Sequence, residues 1–235
     1  MKRGYWVAML PFYLLVTILF IGIAKGGSDA VTVISQNQPP EREHKIIIDA
    51  GHGGIDGGAT SCTGVPESAI NLEISLRLND LMHFLGYETV MIRKTDISIH
   101  IDGNTIAAQK LSDLKERVRI VNKTDGGVLV SIHQNTFSDS RYGGAQVFYG
   151  DTVGSKELAG SLQSLFTRSL NLGSKRSCKK ASGIYLMENI RTTGVLIECG
   201  FLSNPTEEAK LRSADYQKKL CAVIAAGLSE YLSNT

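Results

Sequence analysis

Lys45-Ile46-Ile47-Ile48-Asp49-Ala50-Gly51-His52-Gly53-Gly54 is the stretch from which the fold is read. Three consecutive isoleucines cut off by Gly51 make a short β-branched run, the pattern of a buried strand. A glycine-rich turn follows at once and carries a histidine at its head.

The same punctuation recurs downstream. Ser68 to Leu85 places Ile70, Leu72, Ile74, Leu76, Leu78, Leu81 and Leu85 mostly at helical spacing, and Gly86 stops the helix as a C-terminal cap. Thr89 to Ile92 reads as a second strand, Asp113 to Asn122 as an amphipathic helix and Gly127 to Ile132 as a third strand. Ala145 to Tyr149 is another strand, and Ser155 to Leu172 a helix with Leu158, Leu162, Leu165, Phe166 and Leu170 on one side. Ile184 to Leu186 reads as a short strand and Val195 to Ile197 as the last buried one. Two helices, near Glu207–Arg212 and Ala214–Leu232, close the chain. Strands alternating with helices predict an α/β fold: a mostly parallel, twisted sheet with helices on both faces.

The chain has 235 residues, 43% hydrophobic and 20% charged, which is the composition of a globular protein and excludes a disordered one. A domain of roughly 190 residues buries about 70% of its unfolded surface and needs no staples. The net charge of +2, with no basic block, gives no footing for nucleic acid. Ahead of the domain, Lys2 and Arg3 precede an uncharged apolar run from Tyr5 to Ala24. About twenty apolar residues span a bilayer core of about 30 Å. Residues 1–25 are therefore expected to form one N-terminal transmembrane helix, inside-positive, that anchors the chain on the extracytoplasmic side of the cell membrane. A cleaved signal peptide, releasing a secreted protein, is the competing reading. Residues 26–44 read as a polar linker and 45–235 as the folded domain. Cys62, Cys178, Cys199 and Cys221 lack CxxC spacing and form no thiolate metal motif.

The chemistry gathers at strand ends. His52, His133 and Glu198 each follow a buried strand, and open α/β sheets bind ligands beyond the carboxyl ends of their strands. Two histidines with a carboxylate are an established ligand set for hydrolytic zinc. Glu67, at the start of the long helix, is a second carboxylate candidate, so residue type leaves open which carboxylate ligates and which acts as base. The bland alternatives are a core histidine for His52 or His133 and an acidic helix start for Glu67. The glycines after His52 lack both the Lys-Ser/Thr ending of a phosphate loop and the spacing of a dinucleotide site. His44, His83 and His100 read as surface or packing residues, and Glu73 as solvated. Asn135 is open between a substrate contact and a turn former.

The segment from Ile48 to Ala59 resembles the opening motif of the zinc-dependent N-acetylmuramoyl-L-alanine amidases, the Amidase_3 family. Glu67–Leu72, Ile92–Asp96, Leu114–Arg117 with Asn122, Ser131–Asn135, Gly144–Tyr149 and Ile197–Asn204 are similar to its later motifs, all in family order from Lys45 to Leu232. The resemblance implies that His52, Glu67 and His133 bind one Zn2+ and that Glu198 is the catalytic carboxylate. It further implies that 45–235 is an amidase domain hydrolysing the bond between N-acetylmuramic acid and L-alanine in peptidoglycan. An extra segment, Ile99 to Lys110, the short chain and the N-terminal anchor look most like the CwlD-type amidases. That likeness implies stem-peptide removal for muramic lactam in the spore cortex. The extra segment is a candidate surface for an activating protein partner or for substrate. Two rivals from other classes are a membrane-tethered peptidoglycan-binding protein without activity and another zinc hydrolase, such as a sugar deacetylase. The first would have lost a ligand or the base, and the second would release acetate.

Overall fold

The computed structural model describes residues 44–235, so the predicted transmembrane helix and most of the linker lie outside the described residues. Among the described residues no helix is long and apolar enough to cross a membrane. Six strands and six helices are present among them.

In chain order these are β1 (Lys45–Ala50), α1 (Glu67–Phe84), β2 (Glu88–Met91), α2 (Ile106–Lys123), β3 (Gly127–Asn135) and β4 (Gln146–Tyr149). They continue as α3 (Ser155–Ser169), β5 (Lys179–Lys180), α4 (Tyr185–Asn189), β6 (Gly194–Phe201), α5 (Pro205–Leu211) and α6 (Ala214–Leu232). The sheet order is β2-β1-β3-β6-β4-β5. The first four strands run parallel, as the βα alternation predicts. β4 lies antiparallel to β6, and β5 runs parallel to β4, so the sheet is mixed. The reason lies in the connections. No helix separates β3 from β4, and a parallel pairing needs a crossover of a dozen or more residues.

Alternation along the central strands supplies both cores. Ile46, Ile48, Val128, Val130, Ile132, Val195 and Ile197 face the layer of α1, α3, α5 and α6. Ile47, Leu129 and Leu196 face the smaller layer built by α2 and α4. Helices therefore cover both faces, and the buried β-branched strands follow from that double cover.

Three local expectations change. The Ile184–Leu186 region is not a strand: α4 occupies Tyr185–Asn189, with Leu186 and Met187 buried. A short apolar run fits either state, and here packing against the α2 side decides it. The helix expected from Asp113 starts seven residues earlier, at Ile106, because the Thr105 hydroxyl accepts the Ala108 N–H at 3.2 Å and caps it. Finally, β3 and β6 run on to Asn135 and Phe201, so His133 and Glu198 lie within the last residues of their strands, not beyond them.

Leu78 on α1 is fully buried in the larger core. Leu78→Ala is expected to lower the unfolding free energy by about 2–5 kcal/mol. Urea denaturation of the two proteins side by side checks this.

Candidate metal centre

β1 ends where its backbone must turn sharply across the carboxyl edge of the sheet. His52 makes that turn at φ 60°, a left-handed conformation uncommon outside glycine. Two buried arginines hold it there. Arg93 donates to the Ala50 carbonyl at 2.8 Å and the Gly51 carbonyl at 3.0 Å. Arg117 donates to the Ala50 carbonyl at 2.9 Å and the His52 carbonyl at 2.7 Å. Arg117 is neutralised by Asp49, which also accepts the Ser131 hydroxyl, and by Asp113 at 2.6 Å. Burial opposes ionisation of Asp49, but the Arg117 charge holds its carboxyl below the usual range.

The turn brings His52 Nε2 within 3.3 Å of Glu67 Oε2, and His133 Nδ1 lies 3.0 Å from Glu67 Oε1. Potential ligand atoms of His52, Glu67 and His133 all lie within 4.8 Å of one another. The outer nitrogen of His52 is occupied: Nδ1 sits 2.7 Å from Asp56 Oδ2, which leaves Nε2 aimed inward. Glu67 is oriented by the Ala59 N–H at 3.0 Å, the Gln134 N–H at 3.1 Å and Asn71 Nδ2 at 3.2 Å. The cradle admits nothing larger than glycine at two points. A Cβ on Gly51 would stand 2.2 Å from His133 Nε2, and one on Gly58 would stand 2.7 Å from Glu67 Oε2. Two imidazoles and a carboxylate converging in this way fit a zinc-type ion.

Glu198 is not in that cluster but faces it. It pairs in register with His133 across β3 and β6, and its Oε2 is buried with no hydrogen-bond partner. Burial pushes its carboxyl up to about 7, against the opposing pull of His133. Glu67 shifts the other way. Burial would raise it, but hydrogen bonds from His133 and His52 hold it far below the usual carboxylate range. Burial alone would lower His52, yet its bonds to Glu67 and Asp56 carry it up to about 9.

The four residues singled out in the sequence thus meet at one edge. His44, His83 and His100 bond instead to Thr235, Thr89 and Ser98, away from the centre. Glu73 is exposed, as expected, and accepts from Gln217 at 3.0 Å. Asn135 ends β3, where its carbonyl accepts the Leu202 N–H at 2.8 Å. The supporting residues were not apparent beforehand. Asp56, Arg93 and Arg117 lie inside motifs, but nothing local marks an arginine as buried. The Asp113–Arg117 spacing of i,i+4 was the one available signal.

An α/β sheet carrying two histidines and a carboxylate at its carboxyl edge has the architecture of a metal-dependent hydrolase. The chain belongs to the Amidase_3 family, the N-acetylmuramoyl-L-alanine amidases, whose match spans residues 46–230. Its enzyme class is therefore N-acetylmuramoyl-L-alanine amidase, and the family implies peptidoglycan as substrate. Over 190 residues it is 35% identical to the germination-specific N-acetylmuramoyl-L-alanine amidase of Bacillus subtilis, covering 80% of this chain and 79% of that protein. The CwlD amidase of Clostridioides difficile, solved in complex with the GerS lipoprotein, superposes with a TM-score of 0.78 at 38% identity, covering 82% of this chain and 100% of that one. An N-acetylmuramoyl-L-alanine amidase of Clostridium difficile 630 gives 0.72 at 30% identity, covering 83% of this chain and 99% of that one.

A metal taken up here would displace the proton that the bonds to Glu67 and Asp56 help His52 retain up to about pH 9. Metal affinity is therefore expected to rise with pH up to about 9 and level off above it. The same proton stabilises the metal-free fold fully below 6.5, and that stabilisation is lost as pH rises through about 9. Calorimetric titration with zinc at pH 7, in buffers of differing ionisation enthalpy, is expected to report proton release.

Proposed function

We propose that this chain is a zinc-dependent amidase that removes stem peptides from peptidoglycan during spore-cortex maturation, where bare muramic acid goes on to muramic lactam. The observation that carries the chemistry is the trio His52, Glu67 and His133, with ligand atoms within 4.8 Å, facing the unpartnered carboxyl of Glu198. His52, Glu67 and His133 are assigned as ligands of one Zn2+. Zinc held there supplies Lewis-acid chemistry, acidifying water toward pKa about 7 and polarising the amide carbonyl.

Glu198 does the proton work. A carboxyl poised near 7 accepts a proton efficiently at neutral pH and gives it up again. It takes the proton of the attacking water as oxygen adds to the lactyl carbonyl. It then delivers that proton to the nitrogen of L-alanine as the C–N bond breaks. The products are a lactyl carboxylate on the sugar and a stem peptide with a free amino group. Beside the centre, a cleft of about 190 Å³ bordered by His52, Asp56, Lys110, Leu114, His133 and Leu186 offers room for the scissile amide.

The spore setting is supported by likeness to the germination-specific and CwlD amidases. The GerS complex of the latter supports a protein partner for this chain. Anchoring on the extracytoplasmic face is proposed from the apolar run Tyr5–Ala24.

Glu198→Ala is expected to lower kcat by about 10²–10⁴-fold while zinc still binds. Mass spectrometry of digested peptidoglycan, with and without a chelator, provides the test. Free stem peptide that disappears with chelator is the expected result. Acetate in its place would make the enzyme a sugar deacetylase, and full activity in the variant would remove Glu198 from its role.

A further inference from the structure

The extra segment Ile99–Lys110 reaches the metal centre. Its first residues are fastened to the middle of α2: Asp113 Oδ1 accepts the Ile99 N–H at 2.7 Å, and Ser112 Oγ accepts the Ile101 N–H at 3.2 Å. The last residue of the segment, Lys110, extends its Nζ to Asp56 Oδ1 at 2.7 Å. The other oxygen of Asp56 is the one that meets His52 Nδ1 at 2.7 Å. One carboxylate therefore joins a lysine of the segment to a histidine of the centre.

Asp56 is well placed to transmit that contact. Its backbone is clamped to Gly53 by two hydrogen bonds, 2.8 and 3.1 Å long, and Gly58 N–H donates to its Oδ1 at 3.3 Å. The first two bonds fix the backbone from which the carboxylate projects, and the third restrains the carboxylate itself. His52 needs such a restraint, because its backbone stands at φ 60° and its ring is only partly buried. An imidazole whose Nδ1 is held by a carboxylate has its ring orientation fixed, with Nε2 aimed at the metal. Lys110 in turn grips the Oδ1 of Asp56 at 2.7 Å, which leaves Oδ2 directed at His52.

We propose that Asp56 and Lys110 are positioning residues for the metal ligand His52, and that the Ile99–Lys110 segment is thereby part of the metal-holding apparatus. The proposal rests on the zinc reading of the His52–Glu67–His133 trio.

Zinc affinity of the full folded chain, measured by competition with a chromogenic chelator, tests it without recourse to activity. Wild type, Asp56→Asn, Lys110→Met and Lys110→Arg are compared, with thermal melts of the metal-free proteins to confirm folding. Asp56→Asn is expected to bind zinc about 10–100-fold more weakly. Lys110→Met is expected to lose about 2–5-fold, a loss that shrinks in high salt. Lys110→Arg is expected to restore most of it. If Asp56→Asn folds and binds zinc as wild type does, the positioning role is overturned. If Asp56→Asn does not fold, an unchanged affinity in Lys110→Met at low salt overturns the role of the segment. Failure of the wild type itself to bind one zinc would overturn the underlying zinc reading, a separate outcome.

Discussion

The turn out of β1 is the constraint on which the site depends. Between Ala50 and His52 the chain leaves the buried end of β1 and crosses the end of the sheet, so its carbonyls lose their ladder partners. Buried carbonyls without partners are costly. Arg93 and Arg117 supply the donors, and each is itself almost wholly buried. Burying two guanidinium groups is tolerable only because Asp49 and Asp113 neutralise Arg117 while Arg93 spreads its hydrogen bonds over four carbonyls, those of Ala50, Gly51, Ser68 and Thr95. The same bonds hold His52 in a conformation that an unsupported histidine seldom keeps.

Once that turn is fixed, the rest of the centre follows from two carboxylates in opposite circumstances. Glu67 is surrounded by donors from Ala59, Asn71, Gln134 and both histidines, so it stays ionised despite its burial. Glu198 lies a strand away with an unpartnered oxygen, and burial keeps its proton until about pH 7. Environments that push a pair of acids apart in this way separate a permanent anion from a proton carrier. That division matches the roles proposed for them, ligand and base. Gly51 and Gly58 belong to the same design, since a side chain at either would occupy the space of His133 or Glu67.

Much of this was legible in the residues. The Ile46–Ile48 run, the period of α1 and the strand-end positions of His52 and His133 follow from local patterning, and the βα alternation predicted a mostly parallel sheet, which β2, β1, β3 and β6 form. The reversed β4 and β5 were less legible, because strand direction depends on what the chain does between strands, and the β3–β4 connection looks like any loop. The Ile184–Leu186 error has a similar cause: four or five apolar residues fit helix or strand until a neighbour chooses. The arginines and Asp56 were hidden more deeply. Charged residues are expected at the surface, and only a buried turn with unpaired carbonyls draws them inward.

By itself, then, the sequence determined most of the strands and helices and marked the two histidines and two carboxylates that meet at the sheet edge, since both are encoded in spacing and residue type. Its ordered motifs also determined the family. Tertiary structure alone decided that Glu67 sits between the two histidines while Glu198 stands apart and unpartnered. It alone decided that Lys110, more than fifty residues from His52, is linked to it through Asp56. These are long-range matters of burial and orientation, fixed by the register of β3 against β1 and β6 and by the packing of α2 across the turn. No local pattern carries that register.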